Sequence, residues 1–112
     1  MFPRKYRIRK KKEFESVFKS GKTIKGDFFL AKMIENNLPF PRFAFAVPSK
    51  LEKRAVKRNR IKRIFREAVR SLLPLIRPGV DIVFIIRKQN NLGFRETKEE
   101  IEKRLKKERV IT

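Results

Sequence analysis

The chain has 112 residues, with 32 Lys plus Arg against 12 Asp plus Glu and a formal net charge of +20. That length suggests one domain with a modest core. The charge exceeds what solubility asks and points to a polyanionic partner, nucleic acid first, because each neutralised phosphate releases counterions. With no Cys and no His, disulfides, thiolate nucleophiles, Cys/His zinc sites and imidazole acid–base chemistry are excluded. No run approaches the roughly 18 apolar residues of a membrane span. The N-terminus is cationic with no apolar segment behind it, so a cytoplasmic protein with no membrane role is expected.

In chain order, residues 1–12 carry Arg4, Lys5, Arg7, Arg9, Lys10, Lys11 and Lys12 and no acid. Residues 1–10 therefore read as a basic arm, extended or disordered until an anion orders it, ahead of a single α+β RNA-binding domain over 11–112. Lys11–Ser20 turns helical, with Phe14, Val17 and Phe18 on one face and Gly21 as the stop. Thr23–Lys25 suits a short strand. Asp27–Glu35 suits a longer one, with Phe28, Leu30 and Ile34 on one side and Phe29, Ala31 and Met33 on the other. Residues 36–41 (Asn-Asn-Leu-Pro-Phe-Pro) have turn chemistry, which predicts that the next strand returns antiparallel. That strand, Arg42–Val47, sets Phe43, Phe45 and Val47 against the small Ala44 and Ala46. Small residues there leave room for a ligand or for a packed helix.

A helix is expected from about Glu52 to Leu73, ended by Pro74. At 100° per residue, Ile64, Phe65, Ala68 and Leu72 fall within roughly 60° of Ile61 as a buried seam. Asn59, Lys62, Arg63, Arg66 and Arg70 share an arc of about 100° on the far side. Arg58, Lys62 and Arg66 make a ridge at i, i+4, i+8, and little carboxylate stands near it. Such a face makes sense when a polyanion completes it. Arg77-Pro78-Gly79 is a turn. Val80–Ile86 is apolar on both faces apart from Asp81, the mark of an interior strand. Residues 88–93 read as a loop. Thr97 with Glu100 resembles a capping box opening a last helix whose stripe is Ile101 and Leu105. The order α-β-β-β-α-β-α gives an α+β fold, a four-stranded sheet packed with helices.

The aspartates are Asp27 and Asp81, each at a strand edge, and no glutamate cluster joins them. A two-metal nuclease site needs several converging carboxylates, so no autonomous catalytic site is expected. Composition alone fully permits a small structural ribosomal or RNA-chaperone protein. A cationic membrane-surface peptide would need an exposed apolar face, and here those faces are required for the core.

The segment Ala55-Val56-Lys57-Arg58-Asn59-Arg60-Ile61-Lys62-Arg63, followed by Arg66-Glu67, resembles the signature helix of the bacterial ribonuclease P protein subunit. Phe14-Glu15-Ser16-Val17-Phe18-Lys19-Ser20-Gly21-Lys22 is similar to the family's first helix. Phe43–Lys50 and Asp81–Lys88 are similar to the strands flanking the signature helix. The four blocks keep the family's order over about residues 8–108. The resemblance implies a left-handed βαβ crossover, against the general rule. It implies a protein that binds the catalytic RNA of ribonuclease P and promotes endonucleolytic removal of the 5′ leader from precursor tRNA, one protein per RNA. The RNA and its Mg²⁺ would carry the chemistry, and metal sites on the protein are left unassigned.

By position, Arg58, Asn59, Lys62, Arg63 and Arg66 would face the catalytic RNA, with Arg60 and Arg70 as helpers. Phe14, Phe18, Phe29, Ala44 and Ala46 would mark a leader-binding cleft between the sheet and the first helix. Lys32 takes the sheet position where relatives often carry an aromatic, so this cleft would rely more on charge there. Spacing alone makes Phe14 and Phe18 ordinary core residues; the resemblance makes them half-exposed and dual in role.

Overall fold

A computed structural model describes residues 2–88 and 93–111. Most of the loop expected over 88–93 therefore lies outside the described residues. The elements are α1 (Lys11–Ser20), β1 (Lys22–Lys25), β2 (Phe29–Glu35), β3 (Arg42–Ala46), α2 (Ala55–Leu72), β4 (Val80–Ile86) and α3 (Phe94–Lys107). Short 3₁₀ turns occupy Arg4–Tyr6 and Leu73–Leu75. The α-β-β-β-α-β-α order and the four-stranded sheet are as expected.

Strand order is β1-β2-β4-β3. β1–β2 and β2–β4 pair antiparallel, and β3–β4 pair parallel, with Phe43 beside Ile82 and Phe45 beside Phe84. β3 does run opposite to β2, but the two are not neighbours. The interior-strand composition of Val80–Ile86 wins the central place, and β4 inserts between them. Asn36 makes the wide connection possible: its side-chain amide donates to the Val80 carbonyl (3.0 Å) and to Asp81 Oδ1 (2.7 Å), while its oxygen accepts from Leu38 N–H (2.8 Å). The return turn before β4 uses Gly79 at φ +83°, a backbone conformation that side chains with a Cβ rarely adopt.

Strand alternation divides the apolar residues between two layers. Phe29, Ala31, Phe43, Ile82, Phe84 and Ile86 face α2 and α3, meeting Phe65, Ala68, Val69, Leu72, Ile101 and Leu105 in the main core. Val83, Ile34, Ala44 and Ile85 face the other way, where Val17, Phe14 and Ile8 make a smaller cluster under α1.

Two helix starts move. α2 begins at Ala55, three residues after the expected Glu52, because Glu52 is buried and its carboxylate accepts from Arg54 N–H (2.9 Å) ahead of the helix. α3 begins at Phe94, with Glu96 rather than Glu100 reaching back, to the Gly93 amide (2.8 Å). Glu100 has another task. It accepts from Asp27 N–H (2.6 Å) and Arg104 Nε (3.0 Å), tying α3 to the turn between β1 and β2.

The N-terminal segment departs furthest from expectation. The charge density of 1–10 suggested a free arm, yet Phe2 is buried, edge-on to Phe43 and Phe45 at 5.8 and 5.9 Å. Arg7 bridges to Phe43 in parallel, and Ile8 N–H donates to the Phe43 carbonyl (2.9 Å). Two apolar residues among the cations suffice to pin the segment along the free edge of β3.

Candidate RNA interface

Two surfaces of this fold are physically unfinished, and they lie on opposite sides of the sheet. The first is the outer face of α2. The seam is as read: Phe65, Ala68, Val69 and Leu72 are buried, and Ile61 and Ile64 half-buried. Asn59, Arg60, Arg63 and Arg70 are exposed, and Lys62 and Arg66 half-buried. Among the described residues, none of Arg60, Lys62, Arg63, Arg66 and Arg70 sits in a salt bridge. Burial, and then the nearby charge of Arg7, push the Arg66 guanidinium below its ordinary pKa. Arg58 is placed differently from the rest of its ridge. One guanidinium nitrogen donates to the Glu52 and Lys53 carbonyls (3.0 and 2.8 Å), so it props the loop before α2.

The second surface is the half of the sheet that α1 leaves open. α1 is fixed over the β3-start end by one ionic cluster. Arg42 donates through Nη1 to Glu13 (2.8 Å), and through Nε and Nη2 to both oxygens of Asp81 (2.9 and 2.7 Å). That hydrogen bond from Arg42 holds the Glu13 carboxyl below its usual range, while Asp81 foremost, then Glu13, raise the Arg42 pKa. Cross-strand register then sets Leu30, Ile85 and Ala46 in one row, and Lys32, Val83 and Ala44 in the next. Of these six only Val83 is fully buried. Beside them Phe14 and Phe18 stack on each other at 5.4 Å, and Phe18 remains 41% exposed. Lys32 Nζ donates to Thr23 Oγ1 (2.6 Å), which steadies a cation on an otherwise apolar floor.

Phe29 does not belong to this cleft. It is buried on the α2 face, edge-on to Phe28, Phe65 and Phe84. Alternation along β2 puts Phe29 and Lys32 on opposite sides, so they cannot line one groove. The residues that replace it are Leu30 and Ile85, which the same alternation identifies. Phe2 and Arg7 were also not anticipated: with Arg63, Arg66, Glu67 and Arg70 they line a pocket between the N-terminal segment and α2. No sequence pattern signalled that junction.

Carboxylates are largely committed to structure. Glu13 and Asp81 bind Arg42, Glu35 binds Arg77, and Glu100 and Asp27 bind Arg104. Among the described residues no three carboxylates gather as a metal cage. No described helix is long and apolar enough to cross a membrane.

Comparison with known proteins gives one answer. The family model described as Ribonuclease P matches residues 2–109. A ribonuclease P protein component from Caldanaerobacter subterraneus is 38% identical over 102 residues, covering 90% of this chain and 87% of that protein. The Staphylococcus aureus RNase P protein structure superimposes with a TM-score of 0.83 at 28% identity, covering 96% of this chain and 98% of that one. The RNase P protein from Thermotoga maritima gives 0.81 at 30% identity, covering 90% and 96%.

Proposed function

The chain belongs to the bacterial ribonuclease P protein family, and on that premise we propose that its two unfinished surfaces hold two RNAs. The outer face of α2 binds the catalytic RNA of ribonuclease P, through Lys62, Arg63 and Arg66, with Asn59, Arg60 and Arg70 at the margins. The open half of the sheet beside α1 takes the single-stranded 5′ leader of precursor tRNA. The complex, one protein per RNA in the cytoplasm, then removes that leader hydrolytically to give the mature tRNA 5′ end.

The observation that carries this reading is the pairing of a cationic helix face, without salt bridges among the described residues, and a half-covered apolar floor on one sheet. Each cation set against a phosphate releases a counterion, so catalytic RNA and substrate repel each other less and less Mg²⁺ is needed. The Phe14–Phe18 stack offers a face to unpaired bases without demanding a sequence, as a variable leader requires. Lys32 adds charge where the floor is otherwise apolar. Arg58 contributes by shaping the loop at the start of α2. Bond cleavage and its Mg²⁺ are assigned to the RNA, since most described carboxylates of this chain are held in ion pairs and no three gather.

The test is cleavage of a 5′-extended precursor tRNA at low Mg²⁺ by a bacterial ribonuclease P RNA, with and without the protein, and by protein alone. Strong rescue only when both are present is expected. Tight RNA binding without rescue would overturn the reading in favour of an RNA-chaperone role.

A further inference from the structure

The N-terminal segment crosses the free edge of β3 as a strap. Phe2 packs on the α2 side of the sheet and Ile8 on the α1 side, with Arg7 between them at the edge. Arg7 Nη2 donates to the Phe2 carbonyl (3.1 Å), which fixes the direction of its side chain. Facing it from α2 are Arg63, Arg66 and Arg70, at i, i+3 and i+7 on one side of the helix. These four arginines, with Phe2 and Glu67, line an open pocket of about 310 Å³.

The charge inside is unresolved. Among the described residues, none of the four arginines has a carboxylate within 4.0 Å, Glu67 included. Arg66 is half-buried with Arg7 as its like-charged neighbour. Packing like charges together this way is unfavourable unless an anion sits among them. Guanidinium forks match the oxygens of a phosphate in a way that a point charge does not.

We propose that this pocket seats one backbone phosphate of the catalytic RNA, gripped from two sides by Arg7 of the strap and Arg66 of α2. The inference rests on the reading of α2 given above and adds a donor from outside that helix. Arg63 and Arg70 flank the seat, and Glu67 at its rim opposes the anion. A phosphate held there also clips the strap to α2, so the strap becomes part of the RNA interface.

A double-mutant cycle on the full chain, read as affinity for a bacterial ribonuclease P RNA at fixed salt, tests this. Arg7→Ala and Arg66→Ala should each weaken binding about tenfold, as expected for one charge-assisted phosphate contact. The double variant should fall well short of the roughly hundredfold product, because both residues grip one group. Lys62→Ala, outside the pocket, should multiply with Arg66→Ala. Phe2→Ala keeps all four guanidiniums but frees the strap. It should reproduce most of the Arg7→Ala loss while the melting curve stays cooperative.

If Lys62→Ala weakens binding but Arg7→Ala does not, or if the Arg7 and Arg66 losses multiply fully, the seat is wrong and the α2 interface stands. If neither Lys62→Ala nor Arg66→Ala changes affinity, the α2 interface falls and the seat with it.

Discussion

On the α2–α3 side of the sheet, Phe29, Phe43, Phe84 and Ile86 are sealed beneath two helices. On the α1 side, Leu30, Lys32, Ala44, Ala46 and Ile85 stay partly open under a single ten-residue helix. The same strands build both faces, so the contrast comes from side-chain alternation and from how much helix each face receives. One face holds the fold together. The other is left partly open to solvent, at a cost in stability that the first face offsets.

Substitutions on the two faces should therefore separate stability from binding. The largest stability loss is expected at Phe84, which meets Phe29, Phe43, Phe45 and Phe65. Phe84→Ala should cost about 3–5 kcal/mol in urea unfolding. A cost below about 1 kcal/mol would deny that this face is the core.

Next comes the ionic anchor of α1. Asp81→Ala leaves Arg42 without its bidentate partner and Asn36 without one acceptor. About 3 kcal/mol should be lost, because an interior cation is left half-paired. A near-neutral result would show that α1 is positioned by packing alone.

Phe18→Ala sharpens the contrast from the open side. Stability should fall by less than about 1 kcal/mol, since Phe18 is 41% exposed and leaves no sealed cavity when truncated. Affinity for a precursor with a leader should fall by about 1–3 kcal/mol, the worth of one stacked base, with mature tRNA unaffected. Equal loss on both substrates would make Phe18 a folding residue.

The smallest effect is a pH dependence. Arg42 holds the Glu13 carboxyl below its ordinary value of 4.5, so folding favours the ionised form. The stability this supplies is complete above 4.5 and disappears as pH falls through the lowered value. Unfolding curves from about pH 6 to about pH 3 should fall more steeply for the parent than for Glu13→Gln. Parallel curves would remove Glu13 from the anchor.

Much of this was legible in the residues. The α2 seam and its cationic arc follow from 3.6-residue periodicity, and β4's central place follows from apolar residues on both of its faces. What failed did so for physical reasons. Asn36–Pro41 has hairpin chemistry, but local turn propensity says nothing about which strand fills the neighbouring place. Resemblance places Phe29 in the cleft, whereas its alternation with Lys32 along β2 puts it on the opposite face. Phe2 and Arg7 were hidden by charge density, which reads as a free arm until a buried aromatic is given something to pack against. Glu100 mimics a capping residue because helix caps and long-range carboxylate anchors use the same side chain.

The central claim is that the two faces bind different RNAs, and one paired measurement tests it most directly. Affinity for ribonuclease P RNA, and then the preference of the assembled complex for leader-bearing over mature tRNA, would be measured for Lys62→Ala and for Phe18→Ala. Lys62→Ala is expected to lose catalytic-RNA affinity and keep the leader preference once saturated, and Phe18→Ala to do the reverse. Loss of both properties in the same proportion by both variants would contradict it.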